Sequence, residues 1–204
     1  MWALVESNNV IQVYTRPKAI TIGDVNYPSN IFMLWSSSEL EAIGIYEIVI
    51  DNSNLKDKEY YINTNQTFAF ADGTVTASYG TATAKPLDDV LFTAQDETDG
   101  LGTEGEVKQP GIRKNHIELI NTQAGSILQA TDWMVVRAAE GGTAVPSSIT
   151  TKRAAVRTKA NSMCTQITNA ANVDALIALY EYTNTGTESD PVYTRPLGEL
   201  PTVD

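Results

Sequence analysis

The side chains with chemical potential in this chain are few and scattered. There is one histidine, His116, and one cysteine, Cys164, in 204 residues. A lone histidine can act as a general base. No Ser or Cys nucleophile stands in a recognisable motif with His116, so its sequence setting beside an apolar helical stripe reads as a helix-surface or core-edge residue. Cys164, next to Met163, reads as a small buried apolar residue. A single cysteine excludes an internal disulfide framework and any multi-cysteine metal site. Asp96, Glu97 and Asp99, with Glu104 and Glu106 beyond, could gather oxygens around Ca²⁺, but they lack the ligand rhythm and terminal Glu of an EF-hand loop. A solvated linker is the alternative. Gly100-Leu101-Gly102-Thr103-Glu104-Gly105 has no Lys and does not join a strand to a helix, so it is no phosphate loop. Asn65-Gln66-Thr67 fits a glycosylation acceptor, but without a secretion signal it reads more simply as a hairpin turn. The pair Asp88-Asp89 falls where a loop is expected. No catalytic constellation emerges, and the expectation is a protein without enzymatic activity, cofactor or metal.

Composition narrows the partners. The formal charge is −11 and 42% of the residues are hydrophobic. That apolar share suffices for a packed core. The negative charge disfavours nucleic acid or an acidic membrane as partner. No apolar run approaches the ~20 residues of a membrane span, and the first residues, MWALVESNNV, lack a signal-peptide pattern. The charge is uneven. Residues 111–160 carry 7 Lys+Arg and 3 Asp+Glu, net +4; the remainder carries 7 Lys+Arg against 22 Asp+Glu, net −15. A basic segment in an acidic protein can answer its own acidic part or a neighbouring copy.

The elements that must position these groups change character along the chain. Residues 1–95 predict a β-rich module. Ala3–Val5 and Val10–Tyr14 flank a turn at Ser7-Asn8-Asn9; strands follow at Ala19–Val25, Tyr46–Ile50, Glu59–Asn63, Thr67–Phe70 and Thr74–Tyr79. Asp72-Gly73 marks a tight turn. One short helix, residues 36–44, opens with a Ser36/Glu39 capping signal and stops at Gly44. Residues 96–110, acidic and glycine-rich, predict a linker. Residues 111–182 predict a helical module. Ile117, Ile120, Ala124, Ile127 and Leu128 make one stripe, and Ile149, Val156, Ala160, Met163 and Ile167 another. Glu140 to Pro146 breaks the two, Ser147 or Ser148 caps the second, and a third, shorter helix follows Asn172. Residues 183–204 predict an extended tail. The fold class is therefore α+β. The helical stripes are narrow and must pack on each other or on another chain, so self-association is expected.

The pentapeptide VYTRP occurs at Val13–Pro17 and again at Val192–Pro196, with unlike flanks. In each copy proline forces the preceding arginine extended and ends a β-prone run. Tyr193 and Arg195 are expected to anchor the tail to the β-rich part or to an adjacent subunit. Exposed Tyr60, Tyr61, Phe68 and Phe70 could stack on sugar rings; the alternative is the core face of a sheet.

Two stretches resemble a known group. Tyr27-Pro28-Ser29-Asn30-Ile31-Phe32-Met33-Leu34-Trp35, with Ser38 to Ile45, resembles a module near the start of small bacteriophage tail-associated proteins, where a YP-x-N run leads to a short helix ending in GI. Leu128-Gln129-Ala130-Thr131-Asp132-Trp133, then Pro146 and Arg153-Ala154-Ala155-Val156-Arg157, is similar to the C-terminal helical segment of tail-fibre and tail-fibre-assembly proteins. The residues themselves suggest Asp132 as a cap and Trp133 folded between two antiparallel helices near Val156 or Ala160. Arg153 and Arg157 share a helix face and could reach Asp132, Glu140 or a neighbouring chain. The resemblance implies a non-enzymatic virion subunit or adaptor of a tail or fibre apparatus, whose partners are other phage tail proteins and further copies of itself. An assembly chaperone absent from the particle is the alternative, as is a receptor- or carbohydrate-binding module.

Overall fold

A computed structural model describes residues 1–203. The fold class is α+β, as expected. The chain divides into two units, Met1–Thr83 and the part from Ala84 onward. The division lies at 83/84, upstream of the expected linker.

In the first unit β1 (Trp2–Glu6) and β2 (Asn9–Tyr14) form an antiparallel hairpin. Both turn residues, Ser7 and Asn8, have positive φ (49° and 63°), the geometry that matches strand twist in a two-residue turn. The expected strand at 19–25 is instead a small hairpin, β3 (Ile20–Ile22) with β4 (Val25–Tyr27). Gly23, at φ +57°, lets the chain reverse there. The expected single helix at 36–44 is preceded by a second: α1 (Ile31–Leu34), then α2 (Ser37–Glu41). Ser36 and Glu39 make the reciprocal capping box that the sequence signalled. Gly44 stops the helix at φ +80°, where a Cβ would meet the Val5 carbonyl at 2.9 Å.

β5 (Ile45–Asp51) then enters the sheet. After the short β6 (Tyr61–Ile62) come β7 (Gln66–Ala71) and β8 (Thr74–Tyr79), joined by Asp72-Gly73; β9 (Thr83–Ala84) spans the junction of the units. The sheet order is β2-β1-β5-β8-β7, antiparallel except for β5 beside β8. Because strand side chains alternate, both faces of β1 are used. Leu4 joins Tyr14, Ile31, Phe32, Leu40 and Ile45 on one face; Ala3 joins Ile48, Val75 and Ala77 on the other. Phe68 and Phe70 pack against the second cluster, and Tyr60 is buried, so three of the four aromatics considered for sugar stacking serve the interior.

The second unit starts with the stretch expected to be a linker, and it is folded. β10 (Val90–Leu91) pairs with β11 (Val107–Gln109), and α3 (Ala94–Thr98) lies between them. Thr93 and Asp96 cap α3 reciprocally, and Lys108 reaches Asp96 at 2.5 Å. That lysine contact, then the Thr93 amide and hydroxyl, lower the Asp96 carboxyl to about 2. This carboxylate is already engaged by protein donors.

Four helices follow: α4 (Ile112–Gln129), α5 (Asp132–Ala139), α6 (Ser147–Asn169) and α7 (Val173–Ala178). α7 follows Asn172, as read from the sequence, and the Asn172 side chain caps it by accepting from the Ala175 amide. The expected serine cap on α6 is absent; the helix starts directly after Pro146 without a side-chain cap. α4 and α6 pack antiparallel. Arg113 near the start of α4 reaches the Ala170 carbonyl just past the end of α6, while Arg153 on α6 reaches Leu128 near the end of α4. Their buried faces are Ile112, His116, Ile120 and Ala124 against Val156, Ala160, Met163 and Ile167. The second stripe is as expected from Val156 onward, with Ile149 only half-buried. The first is rotated, with Ile117, Ile127 and Leu128 only half-buried. The tail forms a small hairpin, β12 (Thr183–Asn184) with β13 (Tyr193–Thr194). No helix among the described residues is long and apolar enough to cross a membrane.

Candidate interaction surface

The corner between α4 and α5 is built around one arginine. Arg153 is nine-tenths buried and donates to three acceptors: the Leu128 carbonyl at 2.7 Å, the Thr131 hydroxyl at 2.6 Å and the Asp132 carboxylate at 2.7 Å. The carbonyl of Leu128 lies in the last turn of α4 and also accepts from the Thr131 amide and hydroxyl, each at 3.1 Å, so the arginine adds a donor from α6 to a helix end that its own chain already closes. Asp132 is the first residue of α5 and does not cap it as expected; its charge faces the positive helix end and the arginine fork. The guanidinium therefore ties three consecutive elements together. Arg157, one turn further along α6, is exposed and makes no ion pair or hydrogen bond among the described residues.

The expected burial of Trp133 does not occur. Its side chain is 55% exposed, as is that of Val136, and Val135 is 41% exposed. No residue of α5 is buried. The space between α4 and α6 is already filled by their own stripes, so the tryptophan has no gap to enter. It lies outside, with the Arg137 guanidinium 4.9 Å from its ring centre. Gly141, at φ +84°, ends the helix, and Gly142 donates back to Arg137.

The tail is anchored, though not where the sequence suggested. Tyr193 is 63% exposed and holds nothing down. Arg195 does the holding. It donates to the Gly198 carbonyl at 3.1 Å and to Glu199 at 2.8 Å, and its guanidinium lies 5.6 and 5.2 Å from the ring centres of Tyr180 and Tyr182. Tyr182 donates to the other Glu199 oxygen at 2.5 Å. That hydroxyl first, and Arg195 after it, keep the Glu199 carboxyl below its ordinary range. Leu197 is fully buried, its amide donates to Leu179, and Lys159 donates to its carbonyl. The tail thus docks on the helices of its own unit. The earlier VYTRP copy reverses these roles: Tyr14 is in the core and Arg16 is exposed. Leu197 and Glu199 were missed by sequence reasoning, which stopped at the pentapeptide.

His116 is buried, with Nδ1 2.9 Å from the Tyr180 hydroxyl and the two rings 5.0 Å apart. It serves the core edge, as its sequence setting suggested. Cys164 is half-buried beside Asn121, and burial pushes its thiol up, away from the reactive thiolate. A cleft of about 590 Å³ in the second unit is lined by Leu87, Leu91, Ile117, Arg113 and Asp88 among others, with neither His nor Cys. Among the described residues no group of three His, Cys, Asp or Glu is placed to hold a metal ion. What the arrangement offers is exposed apolar and charged surface on a fixed scaffold. No family model, no curated protein and no solved structure matches the chain.

Proposed function

We propose that this chain is a non-enzymatic structural subunit or adaptor of a bacteriophage tail or tail-fibre apparatus, which works by docking onto neighbouring subunits. One observation carries the docking reading. The fold commits a nearly buried arginine to fixing α5, and α5 buries none of its own residues. An eight-residue helix is not stable by itself. A short helix held rigidly with Trp133, Val135 and Val136 outward supports the reading of a contact element. The tail assignment rests on the resemblance of the Leu128–Trp133 box and the Arg153–Arg157 segment. The direct Arg153–Asp132 bridge supports it by giving those two stretches a shared physical role.

Mass spectrometry of purified particles of the phage encoding the chain tests the assignment. A virion subunit is expected in stoichiometric amounts beside the other tail proteins. Absence from particles, with recovery on unfinished fibres, moves the protein to the assembly-chaperone role. Absence from both overturns the phage reading.

A further inference from the structure

The first unit holds a cleft of about 510 Å³, within the ~300–1,000 Å³ of small-molecule sites. It opens where the face of the second apolar cluster runs out. Gln66 and Tyr79 are cross-strand partners at the ends of β7 and β8, so they share a face. Two residues further along, that face carries Phe68 beside Ala77, then Phe70 beside Val75, and joins the cluster. The rest of the lining comes from residues 55–65, among them Leu55, Tyr61, Ile62 and Asn65. Tyr61 is the one of the four aromatics singled out in the sequence that does not serve the interior, and it meets a second tyrosine here.

The cleft is held in shape by the chain itself. The Asn63 side chain donates to the Lys56 carbonyl at 2.7 Å and accepts from the Lys56 amide at 2.9 Å, which closes the loop between them. The Thr64 hydroxyl accepts from the Gly80 amide at 2.7 Å, and the Asn54 side chain donates to the Tyr79 carbonyl at 3.0 Å. Both bonds fasten that loop to the end of β8. The Lys56 ammonium, 5.9 Å from the Tyr61 ring centre, steadies the ring. A site built this way loses little freedom when a ligand enters.

Its lining is amphipathic and nearly neutral. Leu55 and Ile62 are 38% and 53% exposed and offer apolar surface beside the two phenol rings. The side-chain amides of Asn65 and Gln66 and the Tyr79 hydroxyl make no hydrogen bond among the described residues. Each of these groups both donates and accepts. Among the described lining residues there is no carboxylate, and Lys58 is the single cation.

We infer that this cleft binds a neutral saccharide. A sugar ring has an apolar C–H face for the tyrosines, Leu55 and Ile62, and a rim of hydroxyls that donate and accept like the free amides. The site binds without cleaving, since glycosidic hydrolysis calls on a pair of carboxyl groups. The inference stands on this cleft and not on the phage assignment, so each can fail alone.

The test is an NMR titration of the nitrogen-labelled full-length protein with maltose, cellobiose, lactose and diacetylchitobiose in the millimolar range. Adenine, a planar ring without hydroxyls, is the control ligand. The side-chain amide signals of Asn65 and Gln66 are expected to shift with at least one of the sugars and not with adenine. Tyr61→Ala is expected to weaken that sugar ~10-fold or more, the loss of a hot-spot aromatic. Asn65→Ala is expected to weaken it about 3- to 10-fold, the loss of a hydrogen-bonding group. Tyr193→Ala, at a tyrosine 63% exposed in the tail hairpin, leaves the affinity unchanged. Circular dichroism checks folding; should Tyr61→Ala not fold, Asn65→Ala and Gln66→Ala decide, because neither amide has a partner in the chain. A panel that shifts neither amide overturns the inference. So do shifts that map elsewhere, variants that bind like wild type, or an equal response to adenine, which marks a stacking site for planar rings.

Discussion

Arg153 and Arg157 are one helical turn apart and face different tasks. The first closes a corner of the fold; the second is exposed and unengaged within the described chain. Arg153→Ala removes three hydrogen bonds and leaves the Leu128 carbonyl and Thr131 hydroxyl without that donor. A loss of about 2 kcal/mol is expected, read as a lower denaturant midpoint for the second unit. Arg153→Lys recovers only part of it, because an ammonium cannot present a planar fork to three acceptors. Asp132→Ala costs less, since that carboxylate is 54% exposed and screened by water. Arg157→Ala stays within about 0.5 kcal/mol, the range of ordinary surface changes. An equal loss for both arginines would refute the division of labour. The spacing of the two residues was legible from sequence, because it follows from helix geometry; Asp132 was one of three partners left open, and the packing of α6 on the α4–α5 corner selects it. Which of the two arginines turns inward was not legible, since that depends on how α6 rotates against α4.

At the scale of elements, the tail and the acidic lobe teach the same lesson. Both look extended by composition, and both are held by a few specific contacts. For the lobe a local signal exists as Thr93-x-x-Asp96, a reciprocal capping pair that the expectation of a linker, built on acidic and glycine composition, did not consider. For the tail the decisive contacts are tertiary: Leu197 in the core and Glu199 bridging Arg195 and Tyr182. Leu197→Ala should cost roughly 2–5 kcal/mol, as for other buried leucines, and free the amides near residues 197 and 198 to exchange. The latch is also acid-sensitive. The Glu199 carboxyl lies below its ordinary value in the folded chain, chiefly through the Tyr182 hydroxyl. Its contribution is complete above the unfolded carboxylate range and is lost as pH falls through the lowered folded value. Hydrogen exchange of residues 195–198 should therefore accelerate in acid before the helices melt. Glu199→Gln should abolish that acid step, and an unchanged acid profile in this variant would assign the sensitivity elsewhere.

For the whole molecule the decisive question is where one cooperative unit ends. Composition places the break in the acidic, glycine-rich stretch 96–110, and contacts place it at 83/84. The difference has a physical cause. The start of α4 is held by backbone that precedes the lobe: Ile112 and Arg113 donate to Pro86 and Leu87, Gly111 donates to Asp89, and Arg113 pairs with Asp88. Cutting at residue 110 strips α4 of these acceptors and leaves Arg113, mostly buried, without its carboxylate. The Asp88 carboxylate is 69% exposed, so that pair is screened by water and adds little; the lost backbone acceptors, at about 1 kcal/mol for each hydrogen bond, carry the cost against the ~5–15 kcal/mol that holds a domain folded. Residues 1–83, by contrast, enclose two apolar clusters made from their own strands and short helices. Three fragments separate the two boundaries. Residues 1–83 and 84–204 are each expected to give dispersed amide resonances and one cooperative melt. Residues 111–204 are expected to give collapsed dispersion and a melt that is broad or absent. A well-folded 111–204 fragment, equal in stability to 84–204, would show that the lobe is an appendage to the helices, and would return the boundary to the place composition suggested.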